Sequence, residues 1–259
     1  MARGSRVRSK TGVYHIMLRG NKRQEIFHDD SDCLKFLDTI QKYKTSTKTI
    51  VYAWCLMNNH VHLLLKEGKE DISKTMKRIN VSFVHYYNQK YNTTGHLFQD
   101  RFKSEPVETD EYLLTVVRYI HQNPVKAGLV EQASDWKWSS CCGYYGKSIS
   151  HKSLLDTDFI LKLFADDLYI ARKRFRKFNE QKNDDKCLDY MNNIRKKLSD
   201  EEARLEIGKL IGTSNIAQVK NLPKIKRDEV LQKIKKMEGI TQRQAARILG
   251  ISPNLIFKA

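Results

Sequence analysis

The sequence predicts an α+β fold: an antiparallel sheet threaded in the order β-α-β-β-α-β, followed by an all-α region. Three observations predict it. Over residues 12–130 of the 259-residue chain, short β-prone runs alternate with helical periodicity in that order. Turn and stop residues fall between them, at Arg19-Gly20-Asn21, Asn58-Asn59, Thr93-Thr94-Gly95 and Asn123-Pro124. From about residue 151 the strand signal ends and charged helical periodicity continues.

The first run, Val13 to Leu18, is apolar and β-prone. Asp30-Ser31 then offers a helix N-cap, and Cys33, Leu34, Phe36, Leu37 and Ile40 follow at helical spacing. Ile50 to Met57 reads as a buried strand, Asn58-Asn59 as its turn and His60 to Leu65 as the returning arm of a hairpin. Asp71-Ile72-Ser73 opens a second helix reaching to about Tyr91, with Ile72, Met76, Ile79, Phe83 and Tyr87 three or four apart. Phe102 to Glu108 reads as the fourth strand. Thr109-Asp110-Glu111 caps a third helix from Tyr112 to about Gln122, which Asn123-Pro124 is expected to stop. This is the split βαβ, ferredoxin-like (RRM-like) arrangement.

Beyond it, Trp136-Lys137-Trp138-Ser139-Ser140 and Gly143-Tyr144-Tyr145-Gly146 read as an aromatic-anchored, docked extension. Residues 170–186 read as a solvated helix or linker. Helices are expected over Glu201–Leu210 and Arg227–Met237. Thr241 caps another carrying Ala245, Ala246, Ile248 and Leu249; Gly250 turns the chain, and Ile251-Ser252-Pro253 starts a last helix that the chain end at Ala259 cuts short. That order fits a DNA-binding helix-turn-helix and equally an ordinary αα-hairpin. The expected division is a sheet domain over 1–147, a charged helical linker or extension over 148–198, and an α-helical, helix-turn-helix-like domain over 199–259.

Lysine and arginine total 47 against 30 acidic residues, a formal net charge of +17. The excess is shared, +8 in residues 1–130 and +9 in residues 131–259. It points to a polyanionic partner, nucleic acid first. A hydrophobic share of 40% argues against a wholly disordered chain. No run approaches the roughly 18 apolar residues of a membrane span, and no apolar stretch follows the basic N-terminus, so a cytoplasmic protein without membrane association is expected. The five cysteines include no CxxC pair, which favours reduced thiols over a zinc site.

His60-Val61-His62 is the sharpest local feature. Residues two apart on a strand share a face, so the imidazoles project together and one divalent cation can bridge them. Packed histidines are the competing reading. Tyr119 and Asn123 lie four apart, on one helix face, and an amide oxygen is a hard ligand suited to Mg²⁺ or Mn²⁺. Here the competing reading is a packed ring and a capping amide. Together the four residues describe a reaction: a cation polarises a phosphodiester, a phenol attacks it, and the phosphotyrosine link conserves the ester energy for rejoining.

The strings LRGNKRQEIF, NNHVHLLL and HLFQDRFKS…YLLTVVRYIHQNPVKAGLV resemble the REP-associated branch of the single-tyrosine, HUH-type, insertion-sequence transposases, in order and spacing, over about residues 5–145. The resemblance implies an HUH domain that cleaves and rejoins single-stranded, hairpin-bearing DNA. Tyr119 is then the nucleophile, and His60, His62 and Asn123 hold Mg²⁺ or Mn²⁺. It also implies DNA contacts at Arg19, Asn21, Arg101, Phe102 and Lys103, with Phe102 either under a stacked base or in the core. Arg118 points about 100° away from Tyr119 around the helix and is left outside the site. The protein is expected as a monomer or homodimer. TQRQAARILGISPNLIFKA is similar to the DNA-contacting end of the replication initiator DnaA. The alternatives are a domesticated regulator that binds DNA without cutting it, or a rolling-circle type nicking initiator.

Overall fold

Four strands, β1 (Val13–Arg19), β2 (Ile50–Met57), β3 (His60–Lys66) and β4 (Lys103–Pro106), form one antiparallel sheet in the order β2-β3-β1-β4. The structure is a computed structural model that describes residues 6–188, 198, 200–212, 216–237 and 239–258. Alternation along the strands divides the core. Tyr14, Ile16, Leu18, Val61, Leu63 and Leu65 face α1 (Asp30–Thr47) and α2 (Ile72–Tyr91). Val13, Ala53, Cys55, Met57 and Leu64 face α3 (Asp110–Lys126), which answers with Leu113, Val116, Val117 and Ile120. The same alternation sends His15, His60 and His62 to the α3 side.

Local chemistry moves three boundaries. Helix α1 is capped by Asp29 rather than Asp30 or Ser31, because Asp29 and Asp32 exchange side-chain bonds with each other's backbone in a capping box. Strand β4 is shorter than expected, at Lys103–Pro106. Helix α3 runs through Pro124 to Lys126. A proline inside a helix forfeits a backbone bond and costs about 3 kcal/mol. The carbonyl that loses its donor is that of Ile120, yet the helix stops only at Gly128, at φ 68, where Leu129 N–H donates back to the Pro124 carbonyl; on the neighbouring turn the Asn123 amide Nδ2 donates to the Tyr119 carbonyl at 2.9 Å.

The chain divides into two compact units, 1–189 and 190–259. Residues 148–188 belong to the first. They include α5 (Asp158–Lys162) and α6 (Leu168–Glu180), which follow the short α4 (Cys141–Tyr144). Helix α6 is more than a solvated linker: Ala171, Phe175 and Asn179, each four apart, form a buried stripe, and Phe175 stacks on Tyr144 at 4.5 Å. Residues 189–197 and 199 of the expected linker and domain start lie outside the described residues. None of the five cysteines forms a disulfide.

A buried polar network fastens α6 to α3. Asn179 Nδ2 donates to the Tyr145 hydroxyl and Cys141 Sγ, so its Oδ1 is the acceptor facing His121 Nδ1 at 3.1 Å. His121 therefore carries its proton on Nδ1, and Nε2 accepts from Ser140 Oγ at 2.9 Å. All three residues are fully buried, which closes this Ser-His-Asn arrangement to any substrate. Burial lowers the His121 pKa from 6.5 to about 4. The unfolded chain therefore takes up a proton between those values that the folded one refuses, and stability present above pH 6.5 is lost as pH falls toward 4. Urea unfolding followed by tryptophan fluorescence, which reports the first unit because Trp54, Trp136 and Trp138 all lie there, should lose up to about 1.4 kcal/mol per pH unit per such group over that window. In His121→Gln the slope should be shallower by about that amount.

The second unit has its own core of Ala203, Ile207, Leu231, Ile234, Ala245, Leu249 and Ile256. It contains α7 (Asp200–Ile211), α8 (Lys224–Lys235), α9 (Gln242–Leu249) and α10 (Pro253–Lys258). Thr241 caps α9 and Gly250, at φ 66, ends it, as the sequence predicts.

Candidate active site

The two histidines of β3 share the α3 face with ring centroids 5.2 Å apart. His62 is 1% exposed. Its Nδ1 lies 3.0 Å from Nε2 of His15, and its Nε2 has no hydrogen-bond partner. Burial, with the neighbouring His60 and His15, pushes its pKa well below the ordinary value. It is therefore neutral at pH 7, the form that binds metals. His60 is half-buried, and its Nδ1 is engaged by Asn59 Oδ1 at 2.7 Å. Metal-binding histidines are held in this way, through the ring nitrogen that does not face the cation.

Tyr119 closes the site from α3. Its ring meets His62 edge-on at 5.6 Å and His15 at 5.8 Å, while the Lys126 ammonium stands 4.9 Å from its centroid. Asn123 lies one turn further along the same face, with its amide nitrogen turned onto the Tyr119 carbonyl. Sequence and structure thus bring together Tyr119, His60 and His62. The sequence reading missed His15. Its β1 run looks like plain core, and only the β1–β3 register, with His15 opposite Leu64 and Met17 opposite His62, puts it beside His62. Among the described residues, no three of histidine, cysteine, aspartate and glutamate gather in a ligand cluster.

The loop after β1 is fixed to the turn before β3. Gly20 N–H donates to the Asn59 carbonyl, Ile26 and Phe27 N–H to the Asn58 carbonyl, and Asn59 Nδ2 to the Arg23 carbonyl. A Cβ at Gly20 would overlap the Gln24 carbonyl, so only glycine fits. Lys22 and Arg23 adopt left-handed backbone, φ 51 and 66, a conformation that costs a non-glycine residue about 1–2 kcal/mol. Such strain gathers at functional sites.

Arg19 is the ladder partner of His60 and shares its face. Asn21 is tied through its backbone to the Leu97 carbonyl. Lys103 pairs with Met17, in the row of the sheet that continues to His62. Arg101 is exposed and lines, with Arg6, Phe102 and Lys103, a shallow hollow of about 290 Å³. Phe102 is a core residue. It is 6% exposed and the Arg6 guanidinium lies 3.7 Å over its ring, so the expected stacked base finds that face taken. Arg118 points away from the site, as expected, into a bidentate pair with Asp185 at 2.7 and 2.9 Å.

Residues 9–123 match the family model described as IS200-like transposase, a span from the segment before β1 to Asn123. Over that span, under half of the chain, the sequence is similar to the IS200-like transposases. A REP-associated tyrosine transposase of Escherichia coli is 29% identical over 136 residues, 52% of this chain and 78% of the relative. A putative REP-associated tyrosine transposase of Haemophilus influenzae is 28% identical over 117 residues, 40% of this chain and 64% of the relative. Among solved structures, a REP-associated tyrosine transposase bound to a REP hairpin is 26% identical, with a TM-score of 0.47 over 54% of this chain and 82% of that one. The matched span takes in the whole sheet, both histidines of β3 and Tyr119. Among the described residues no helix is long and apolar enough to cross a membrane.

Proposed function

We propose that the transposase domain cleaves and rejoins single-stranded, hairpin-bearing DNA through a phosphotyrosine link at Tyr119, with Mg²⁺ or Mn²⁺ held by His60, His62 and Asn123. One observation carries this reading: the Tyr119 ring lies against a neutral, buried His62 whose Nε2 has no partner. An unpaired buried nitrogen is costly unless a ligand satisfies it. The bound cation would polarise the phosphodiester and offset charge growing on its oxygens. Asn123 spends its amide nitrogen on α3 and contributes its oxygen, the hard donor such ions prefer.

Tyr119 Oη attacks the phosphorus. A phosphorus–oxygen bond to tyrosine forms while the bond to the 3′ oxygen breaks; the phenolic proton is given up and the leaving oxygen takes one, freeing a 3′-hydroxyl. A 3′-hydroxyl attacking the phosphotyrosine reverses these steps, so joining needs no ATP. The Lys126 ammonium stands 4.9 Å from the Tyr119 ring centroid, close enough to meet the phosphate of a strand brought to the tyrosine. Arg19, Lys22, Arg23, Arg101 and Lys103 supply phosphate contacts around the site.

The hairpin-bearing substrate rests on the resemblance to REP-associated transposases. The second unit is read as an auxiliary grip on DNA, through Arg243 and the turn between α9 and α10. The protein is read as cytoplasmic, and as a monomer or homodimer. Incubating the protein with labelled hairpin-bearing single strands and Mn²⁺ should give a covalent protein–DNA adduct that survives denaturing electrophoresis. A chelator should abolish it. Salt-sensitive binding without an adduct, whatever the hairpin library offered, would favour a DNA-binding regulator instead.

A further inference from the structure

We infer that His15 is a positioning residue for the metal site, presenting the lone pair of His62 Nε2 through the hydrogen bond between the two rings. The inference rests on the proposed metal reading of His60 and His62 and adds a residue to it. One proton lies between His62 Nδ1 and His15 Nε2, 3.0 Å apart. With that proton on His15, neutral His62 carries its own on Nε2 and has no lone pair there for a cation. With it on His62, Nε2 is free to ligate, and His15 accommodates the change by carrying its proton on Nδ1.

Both outer nitrogens, His15 Nδ1 and His62 Nε2, are buried and without hydrogen-bond partners. No third group therefore fixes the proton, and a cation at His62 Nε2 selects the ligating arrangement. A side chain without an acceptor at this position would leave His62 Nδ1–H buried and unpaired whenever Nε2 ligates. His15 also packs edge-on against Tyr119 at 5.8 Å, so one ring orients the metal ligand and braces the nucleophile. Loss of such an outer partner typically costs 10–100-fold in metal affinity.

The test compares His15→Gln, which keeps an acceptor at the height of Nε2, with His15→Leu, which keeps bulk alone. Mn²⁺ affinity is read from the electron paramagnetic resonance signal of free Mn²⁺. In the metal-free wild type, an ¹⁵N–¹⁵N coupling between the His15 and His62 rings is read by NMR. We expect the coupling in the wild type, affinity within about threefold for His15→Gln, and a loss of about 10–100-fold for His15→Leu. A packing role alone predicts the reverse order, with Leu tolerated and Gln harmful; that result, or no coupling, overturns the inference. A His15→Leu variant that binds as wild type overturns it while leaving the metal reading intact. A wild type that binds no better than His60→Ala/His62→Ala overturns both. Should His15→Leu fail to fold, His15→Met replaces it in the comparison.

Discussion

Tyr119→Phe should bind hairpin-bearing single strands as tightly as the wild type and form no covalent adduct. The substitution keeps the ring against His62, His15 and Lys126 and removes only the attacking oxygen. Binding is carried by phosphate contacts elsewhere and should hold within about twofold. Adduct formation should fall by about 10⁴-fold or more, the scale seen when a covalent catalyst loses its nucleophile. Gel-based adduct assays beside a fluorescence binding curve separate the two. Residual adduct in the variant would move the nucleophile to another tyrosine. The rivals are poorly placed: Tyr86 donates to Asp32, Tyr87 is engaged with His28, and the Tyr112 phenol is pushed upward by burial and by Glu105.

The His60→Ala/His62→Ala pair should likewise bind DNA and fail to cut it. Both changes remove imidazole donors from the α3 face, and the second also leaves the His15 Nε2 without its partner. Loss of the cation removes the charge that offsets the growing anion, so cleavage should fall by about 10³-fold or more. Isothermal titration with Mn²⁺ should show the site gone. Cleavage at the wild-type rate would mean that these are packed histidines, the reading their spacing alone leaves open.

Much of this was legible in the sequence, for identifiable reasons. Period-two and period-3.6 patterns are local, so the element order and the shared face of His60 and His62 follow from the string itself. The i, i+4 spacing placed Tyr119 and Asn123 on one face, and the 100° step placed Arg118 elsewhere. What depends on strand register or on distant packing was hidden. His15 sits in a run of core residues, and nothing in that run shows its neighbour 47 positions away. The basic surface of α6 masked the buried Ala171-Phe175-Asn179 stripe, because charge on the outer face dominates composition. Pro124 signalled a stop that the chain postpones to the left-handed Gly128. Phe102 is hydrophobic in either role, and only the guanidinium of Arg6 above it shows which role it fills.

The network behind α3 bears on how strands change partners. His121, Gln122 and Arg118 tie the back of that helix to Asn179 and Asp185, while Tyr119 faces forward from the same turns. A helix anchored on both flanks cannot swing its tyrosine across to a neighbouring molecule without breaking buried bonds. In the proposed reaction the severed 5′ end then stays tethered where it was cut, and recombination consists of carrying a new 3′ end to a stationary tyrosine. The traffic is in the DNA; the protein is the fixed post.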